Sequence, residues 1–265
     1  MKKINLFILA FIFAVSTLYS QTLRDSSITI KVLTFNILHG ATTQGDFNLD
    51  VIANIIKTTD PDFVALQEVD YKTNRSKKYD IVTELGWRVK MAPLFANAMN
   101  FDHGEYGNGI LSKYSFLQTR NLALPYTIGN EPRTALEIFC ILKSGDTIAF
   151  ISTHLDHLKD EKDRIDQVTT INRELVSNKY PCILAGDFNA QPGSTPIQIL
   201  EKKWGSTYDK SNIEATFPSD HPEIKIDYVM YYPKNKWKTI KAEVIHDTIA
   251  SDHCAYLVTL ELLKN

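Results

Sequence analysis

Six segments of the chain carry residues able to do chemistry at or near the end of an apolar run. Residues 32–35 lead to Asn36, residues 64–67 to Glu68, residues 148–153 to His154, and residues 183–186 to Asp187, Phe188 and Asn189. Asp227 lies in a fifth run, and Ser251-Asp252-His253 leads into a sixth. Acids, amides and imidazoles at strand ends are held rigidly, as catalysis requires. If the runs converge, they form one acid-rich pocket suited to a hard cation. Glu68 and Asp252 offer carboxylate oxygens and Asn36 an amide oxygen. Magnesium takes oxygen ligands and keeps several waters, so few protein ligands suffice. Such an ion polarises a phosphoryl oxygen and stabilises developing charge. Mn2+ or Ca2+ could use the same ligands, whereas zinc is disfavoured by the lack of an H-x-x-x-H or Cys cluster.

Positioning these groups takes strands and helices. Runs at 28–35, 63–66, 110–111, 135–142, 148–152, 182–185, 226–231 and 255–260 are rich in β-branched and aromatic residues, which predicts strands. Several are apolar at consecutive positions, as for strands covered on both faces. Leu49, Ile52, Ile55 and Ile56 share one helical face that must stop before Pro61. Ile81, Val82 and Leu85 form a second stripe, expected to close at Gly86. Ile165, Val168, Ile171, Leu175 and Val176 form the longest one. Ser194-Thr195-Pro196 reads as the start of a short helix over 197–200. Strands and helices mix without strict alternation. That predicts an α/β sandwich of two sheets with helices outside, rather than a Rossmann sheet or a TIM barrel.

The 265 residues hold 29 Lys and Arg against 31 Asp and Glu, for a net charge of −2. This excludes a disordered tail and a strongly basic nucleic-acid wrapper, but not a nuclease with a local basic groove. Lys2 and Lys3 precede an apolar stretch at 4–15 that is short for a membrane span, and small polar residues follow. The pattern predicts a signal peptide over 1–20, cut near Ser20, with an uncleaved N-terminal anchor as the alternative. The remainder, 21–265, is expected to be a single extracytoplasmic domain without a stable membrane span, and a monomer. Cys140, Cys182 and Cys254 are odd in number and lie in apolar runs, which suggests core thiols rather than disulfides.

Thr34-Phe35-Asn36, Leu66-Gln67-Glu68-Val69, Ser152-Thr153-His154-Leu155, Gly186-Asp187-Phe188-Asn189-Ala190, Ile226-Asp227-Tyr228-Val229 and Ser251-Asp252-His253 resemble, in order, the motifs of the endonuclease/exonuclease/phosphatase (DNase I-like) superfamily. Gly186-Asp187-Phe188-Asn189 alone could be an Asx turn after a strand. Six motifs in sequence carry the resemblance over residues 29–260. It implies a four-layer α/β sandwich of two packed mixed sheets flanked by helices. It also implies attack of metal-assisted water on phosphorus. Glu68 would be the principal metal ligand, with Asp252 a second and Asn36 supporting the metal–phosphate geometry. Asp187 would position or deprotonate the water, and Asn189 would hold that water or a phosphate oxygen. His253, oriented by Asp227, would contact the phosphate or act as acid–base. His154 would bind phosphate or assist the leaving oxygen.

Leu38 stands where some AP endonuclease-like members carry an acid, so one possible metal ligand is missing. Residues 104–112 resemble a loop of a bacterial branch, from which Asn108 could reach the site. Arg75 and Arg133 are candidate phosphate contacts, because a guanidinium binds phosphate through paired hydrogen bonds. The favoured substrates are sugar phosphates, inositol phosphates or phospholipid headgroups. The acidic balance disfavours nucleic acid, although Lys72, Arg75, Lys77 and Lys78 supply a local basic stretch. A DNase I-like endonuclease and an inactive phosphate-binding protein are the alternatives.

Overall fold

The computed structural model describes residues 28–264 other than 177–178. The expected signal segment lies outside the described residues. Two six-stranded sheets face one another. The first has the order β11-β12-β1-β2-β4-β3, made of β1 (Ile28–Asn36), β2 (Phe63–Tyr71), β3 (Ala92–Phe101), β4 (Gly104–Ser112), β11 (Trp237–Ile245) and β12 (Ala255–Leu262). The second has the order β5-β6-β7-β8-β10-β9, made of β5 (Phe116–Ala123), β6 (Thr134–Ile141), β7 (Thr147–His154), β8 (Cys182–Asp187), β9 (Gly205–Ser206) and β10 (Asp227–Tyr232). Pairing is parallel between β1 and β2 and between β7 and β8, and antiparallel elsewhere.

Side-chain alternation builds three apolar layers. On β1, Ile30 and Val32 face the other sheet, while Leu33 and Phe35 face helices. On β8, Ile183 and Ala185 face inward, while Cys182 and Leu184 face outward. Where both faces are buried, these runs are apolar at consecutive positions. Phe63 and Phe150 stack between the sheets with ring centroids 4.9 Å apart. Helices α1 (Leu49–Thr59) and α2 (Ile81–Val89) cover the outside of the first sheet, and α3 (Lys162–Glu174) and α4 (Thr195–Glu201) cover the second. The result is the expected four-layer sandwich. Each large inward side chain contributes about 1.5–3 kcal/mol by its burial.

Two local expectations fail. Gly86 does not end α2 but lies inside it, where the lack of a Cβ makes room for the Met91 carbonyl, which a Cβ would approach to 2.8 Å; the left-handed residue Lys90 ends the helix instead. Residues 104–112 are not a loop but strand β4, paired on both sides. Among the described residues no helix is long and apolar enough to cross a membrane.

The same alternation prepares one end of the sandwich for chemistry. Asn36, His154, Asp187 and Asp227 each continue the inward-facing row of their strand past the apolar core. Asp187 pairs in register with His154 on one side and Asp227 on the other. Gly186 lets β8 lie close to β7, since a Cβ there would come within 2.0 Å of the Thr153 carbonyl.

Candidate active site

Strict alternation would send Glu68 to the helix-covered face of its sheet. A bulge between Leu66 and Val69 prevents this: Gln67 and Glu68 together oppose Asn108, and Glu68 takes a left-handed φ of 54°. Bulges re-aim side chains in this way, and backbone strain of this kind collects at functional sites. The Glu68 carboxylate thereby meets Asn36, whose Nδ2 donates to Glu68 Oε1 at 3.1 Å and to Asp187 Oδ2 at 3.1 Å. Asn36 Oδ1 accepts from the Leu38 amide. The 251–253 segment is tied to the same point: Ser251 Oγ donates to the Asn36 carbonyl at 2.6 Å, and the His253 amide donates to Ser251 Oγ. Asn189 also has a left-handed φ, of 47°, and its amide donates to Asp187 Oδ1 at 2.9 Å.

His253 and His154 flank Asp187 in opposite charge states. His253 Nδ1 lies 3.0 Å from Asp227 Oδ2, and its Nε2 lies 3.7 Å from Asp187 Oδ2. Burial opposes the charged ring, but Asp227 and Asp187 outweigh it and raise its pKa to about 10. His154 Nε2 lies 3.4 Å from Asp187 Oδ2. Burial, then the charge of Arg133, push His154 well below its ordinary value, so it is neutral. Burial also raises the pKa of Asp187, against the pull of His253.

Arg133 fixes the neutral tautomers. It contacts Nδ1 of His154 at 3.0 Å and Nδ1 of His157 at 3.2 Å. A guanidinium only donates, so both Nδ1 atoms accept and both protons sit on Nε2. Asn189 Nδ2, which donates to the Leu155 carbonyl, then faces a protonated His154 Nε2 at 3.0 Å. Turning the amide over sets its oxygen against that carbonyl instead. Either way one pair is mismatched, and an acceptor oxygen entering between Asn189 and His154 relieves it.

The donor set fits a divalent cation. Burial works against ionised Glu68, yet His39 Nδ1 at 3.9 Å and the Asn36 amide help hold its pKa at about 2. Burial, then the charge of Glu68, push Asp252 up. The charge of each acid opposes ionisation of the other, and a bound divalent cation would offset that cost. Asp187, Asp227 and His253 also bring ligand-type atoms within 4.8 Å of one another. There, however, the ring is cationic and already bound to Asp227.

Eight of the residues singled out from the sequence thus converge: Asn36, Glu68, His154, Asp187, Asn189, Asp227, Asp252 and His253. Arg133 joins them through His154. Asn108 lies mid-strand, its Nδ2 donating to the Thr134 carbonyl and its buried Oδ1 unpaired. Arg75 is partly committed: Asp70 takes its Nε and Nη2 at 2.7 and 2.8 Å, and the guanidinium stacks over Phe101. The rest of the basic stretch is similarly engaged, with Lys72 over Tyr71, Lys77 over Phe47 and Lys78 on the His103 carbonyl. Three residues escaped sequence reasoning. Tyr106 is buried within the fields of Glu68 and Arg133, His157 is held by Arg133, and Lys225 is buried beneath Asp227. Their signals were a Tyr between two glycines, a His three residues after His154, and a Lys two residues before Asp227.

Lys225 carries a measurable signature. Its Nζ donates to the Asp227 carbonyl at 2.9 Å and lies 3.6 Å from the ring centroid of Tyr256. Burial lowers its pKa from 10.5 to about 8. Between those values the unfolded chain binds more protons than the folded one, so stability rises with pH. The contribution is fully present above about 10.5 and lost as pH falls through about 8. The unfolding free energy of wild type relative to Lys225→Met should therefore rise by up to about 3 kcal/mol between pH 7 and 10.5. Urea denaturation across that range checks this, and a pH-independent difference would show the lysine to be unperturbed.

The sequence profile of the Endonuclease/Exonuclease/phosphatase family matches residues 33–253, from the middle of β1 to the last histidine of the site. The chain belongs to this family. Members act as hydrolases on phosphoester bonds and are typically metal-dependent. Solved structures agree on the fold. A family protein from Bacteroides thetaiotaomicron superposes with a TM-score of 0.75 at 17% identity, covering 90% of this chain and 100% of that one. The mannosyl-6-phosphatase of the same organism gives 0.72 at 17% identity, covering 87% and 99%. The human Nocturnin catalytic domain gives 0.69 at 20% identity, covering 91% and 98%.

Proposed function

We propose that this family member is a secreted or periplasmic, divalent-metal-dependent phosphoesterase. Its substrate is a sugar phosphate, inositol phosphate or phospholipid headgroup, and water attack cleaves a P–O bond. The observation that carries this reading is that Asn36 Nδ2 joins the Glu68 carboxylate to Asp187, and so to the Asp187–His253–Asp227 cluster. Glu68 and Asp252, with Asn36 beside them, would hold Mg2+, or Mn2+ or Ca2+. When bound, such an ion neutralises phosphate charge and polarises a phosphoryl oxygen. Asp187, whose pKa is raised by burial, accepts a hydrogen bond from the attacking water and takes its proton. Cationic His253, held by Asp227, donates to a phosphate oxygen as negative charge builds there. Asn189 and the Nε2–H of His154 supply further donors, and the mismatch between them is relieved by that oxygen. The apolar N-terminal segment supports export. The engagement of residues 72–78 with their own neighbours counts against a DNA-binding stripe.

The test is a panel of sugar phosphates, inositol phosphates, phospholipids and plasmid DNA, incubated with residues 21–265 and Mg2+ or Mn2+. Hydrolysis of a non-nucleic-acid phosphoester, abolished by EDTA and restored by added metal, is the expected result. Nicking of DNA alone would make the protein a nuclease. No metal-dependent turnover of any phosphoester by folded protein would leave it a binding protein.

A further inference from the structure

A cleft of about 360 Å³ opens directly off the catalytic groups, with Asn189 and His253 at one end. Part of its lining comes from the start of α3 and from the loop after β8. Four groups there are free to make hydrogen bonds. Glu161 presents a carboxylate with no side-chain partner among the described residues, and Gln191 an equally uncommitted amide. His157, bound through Nδ1 to Arg133, has its Nε2–H left over. Ser194 Oγ is buried without a partner. The rest of the lining is apolar: Ile224, Ile226 and the Phe217 ring, whose centroid lies 4.7 Å from that of His253.

Building on the phosphoesterase reading, we propose that this cleft holds the leaving group and selects a monophosphorylated sugar or sugar-like polyol ring. Acceptors and donors in the lining match adjacent hydroxyls, and its apolar part with an aromatic ring matches the C–H face of a pyranose. The volume suits one ring rather than a polymer. A second phosphate is disfavoured by the carboxylate of Glu161. Arg164, the only arginine or lysine lining the cleft among the described residues, is buried; its Nη1 donates to the Asp156 and Leu158 carbonyls, and its Nε is left without a partner. Nucleic acids and polyphosphorylated inositols are therefore poor fits. An acyl-bearing headgroup would set its ester against the same polar groups.

The test compares a hexose 6-phosphate, inositol 1-phosphate and cyclohexylmethyl phosphate. The last has a ring and a primary alkoxide leaving group but no ring hydroxyls. Wild type should favour the hydroxylated substrates in kcat/KM by more than about tenfold. Losing a hydrogen bond to a charged group costs about 10- to 100-fold, so Glu161→Ala should lower kcat/KM on the preferred polyol phosphate by that factor. The same change should leave cyclohexylmethyl phosphate within about twofold, and Gln191→Ala should act likewise but more weakly. The two polyol arms distinguish a sugar from a cyclitol. Equal losses on all three substrates, no loss on any, or no wild-type preference would overturn the proposal while the phosphoesterase reading stands. Wild-type inactivity on every phosphoester tested would remove both.

Discussion

Asp187→Asn should lower kcat/KM by about 10³-fold, within the 10² to 10⁴ range typical of a positioned general base. The carboxylate is the common neighbour of the site. Oδ2 meets the Asn36 amide at 3.1 Å, His154 at 3.4 Å and His253 at 3.7 Å, and Oδ1 holds the Asn189 amide. Asparagine has the same shape and can keep the Asn189 contact through its oxygen, but its Nδ2 then faces the Asn36 amide and the two histidines as a second donor. What disappears is the ability to take a proton, together with one of the two acids that keep His253 cationic. Stability should not fall in step with the rate, because burial already disfavours the charge that the substitution removes. Steady-state kinetics alongside a thermal melt and circular dichroism check both halves. A near-normal rate from a folded variant would reduce Asp187 to a strand-ending Asx turn.

The residues that carry this argument were readable in the sequence because of where they sit. Asn36, His154, Asp187 and Asp227 terminate or begin strands buried on both faces, and an uninterrupted apolar run announces such strands. The four strands that left no clear signal, β3, β5, β9 and β11, are the four sheet edges. Edge strands are half solvated and carry mixed, often charged side chains, so their alternation is blurred. Partnerships between distant segments were equally hidden. Nothing in the spacing of Asp70 and Arg75 says that the first takes Nε and Nη2 of the second, which commits one edge of the guanidinium within the fold. Nor does the sequence show the bulge that turns Glu68 inward, since a bulge is a mismatch of register with β4 and exists only once the strands pair. The cleft lined by Glu161 and Gln191 was invisible for the same reason: it forms where α3, the loop after β8 and the segment before β10 meet.

Glu68→Gln should raise the apparent dissociation constant for Mg2+ or Mn2+ by at least about 100-fold, since loss of an outer-shell partner alone costs 10- to 100-fold. Glu68 is the acid best prepared for this role. Its pKa of about 2 keeps it ionised at any working pH, despite burial. Its aim into the site rests on the strained φ of the bulge. Glutamine is isosteric and can retain the Asn36 hydrogen bond, so the change isolates charge from shape. Calorimetric titration of metal into the protein measures the loss directly, and high metal concentrations should restore part of the rate. A second reading needs no metal at all. The charge of Glu68 helps push the Asp252 carboxyl up, so in metal-free Glu68→Gln the Asp252 titration should move down, visible by carboxyl-carbon NMR. If Asp252 moves but metal affinity does not, the two acids are neighbours without being ligands. The cation would then belong with the Asp187–Asp227–His253 cluster, where binding must first displace the proton that His253 holds against Asp227.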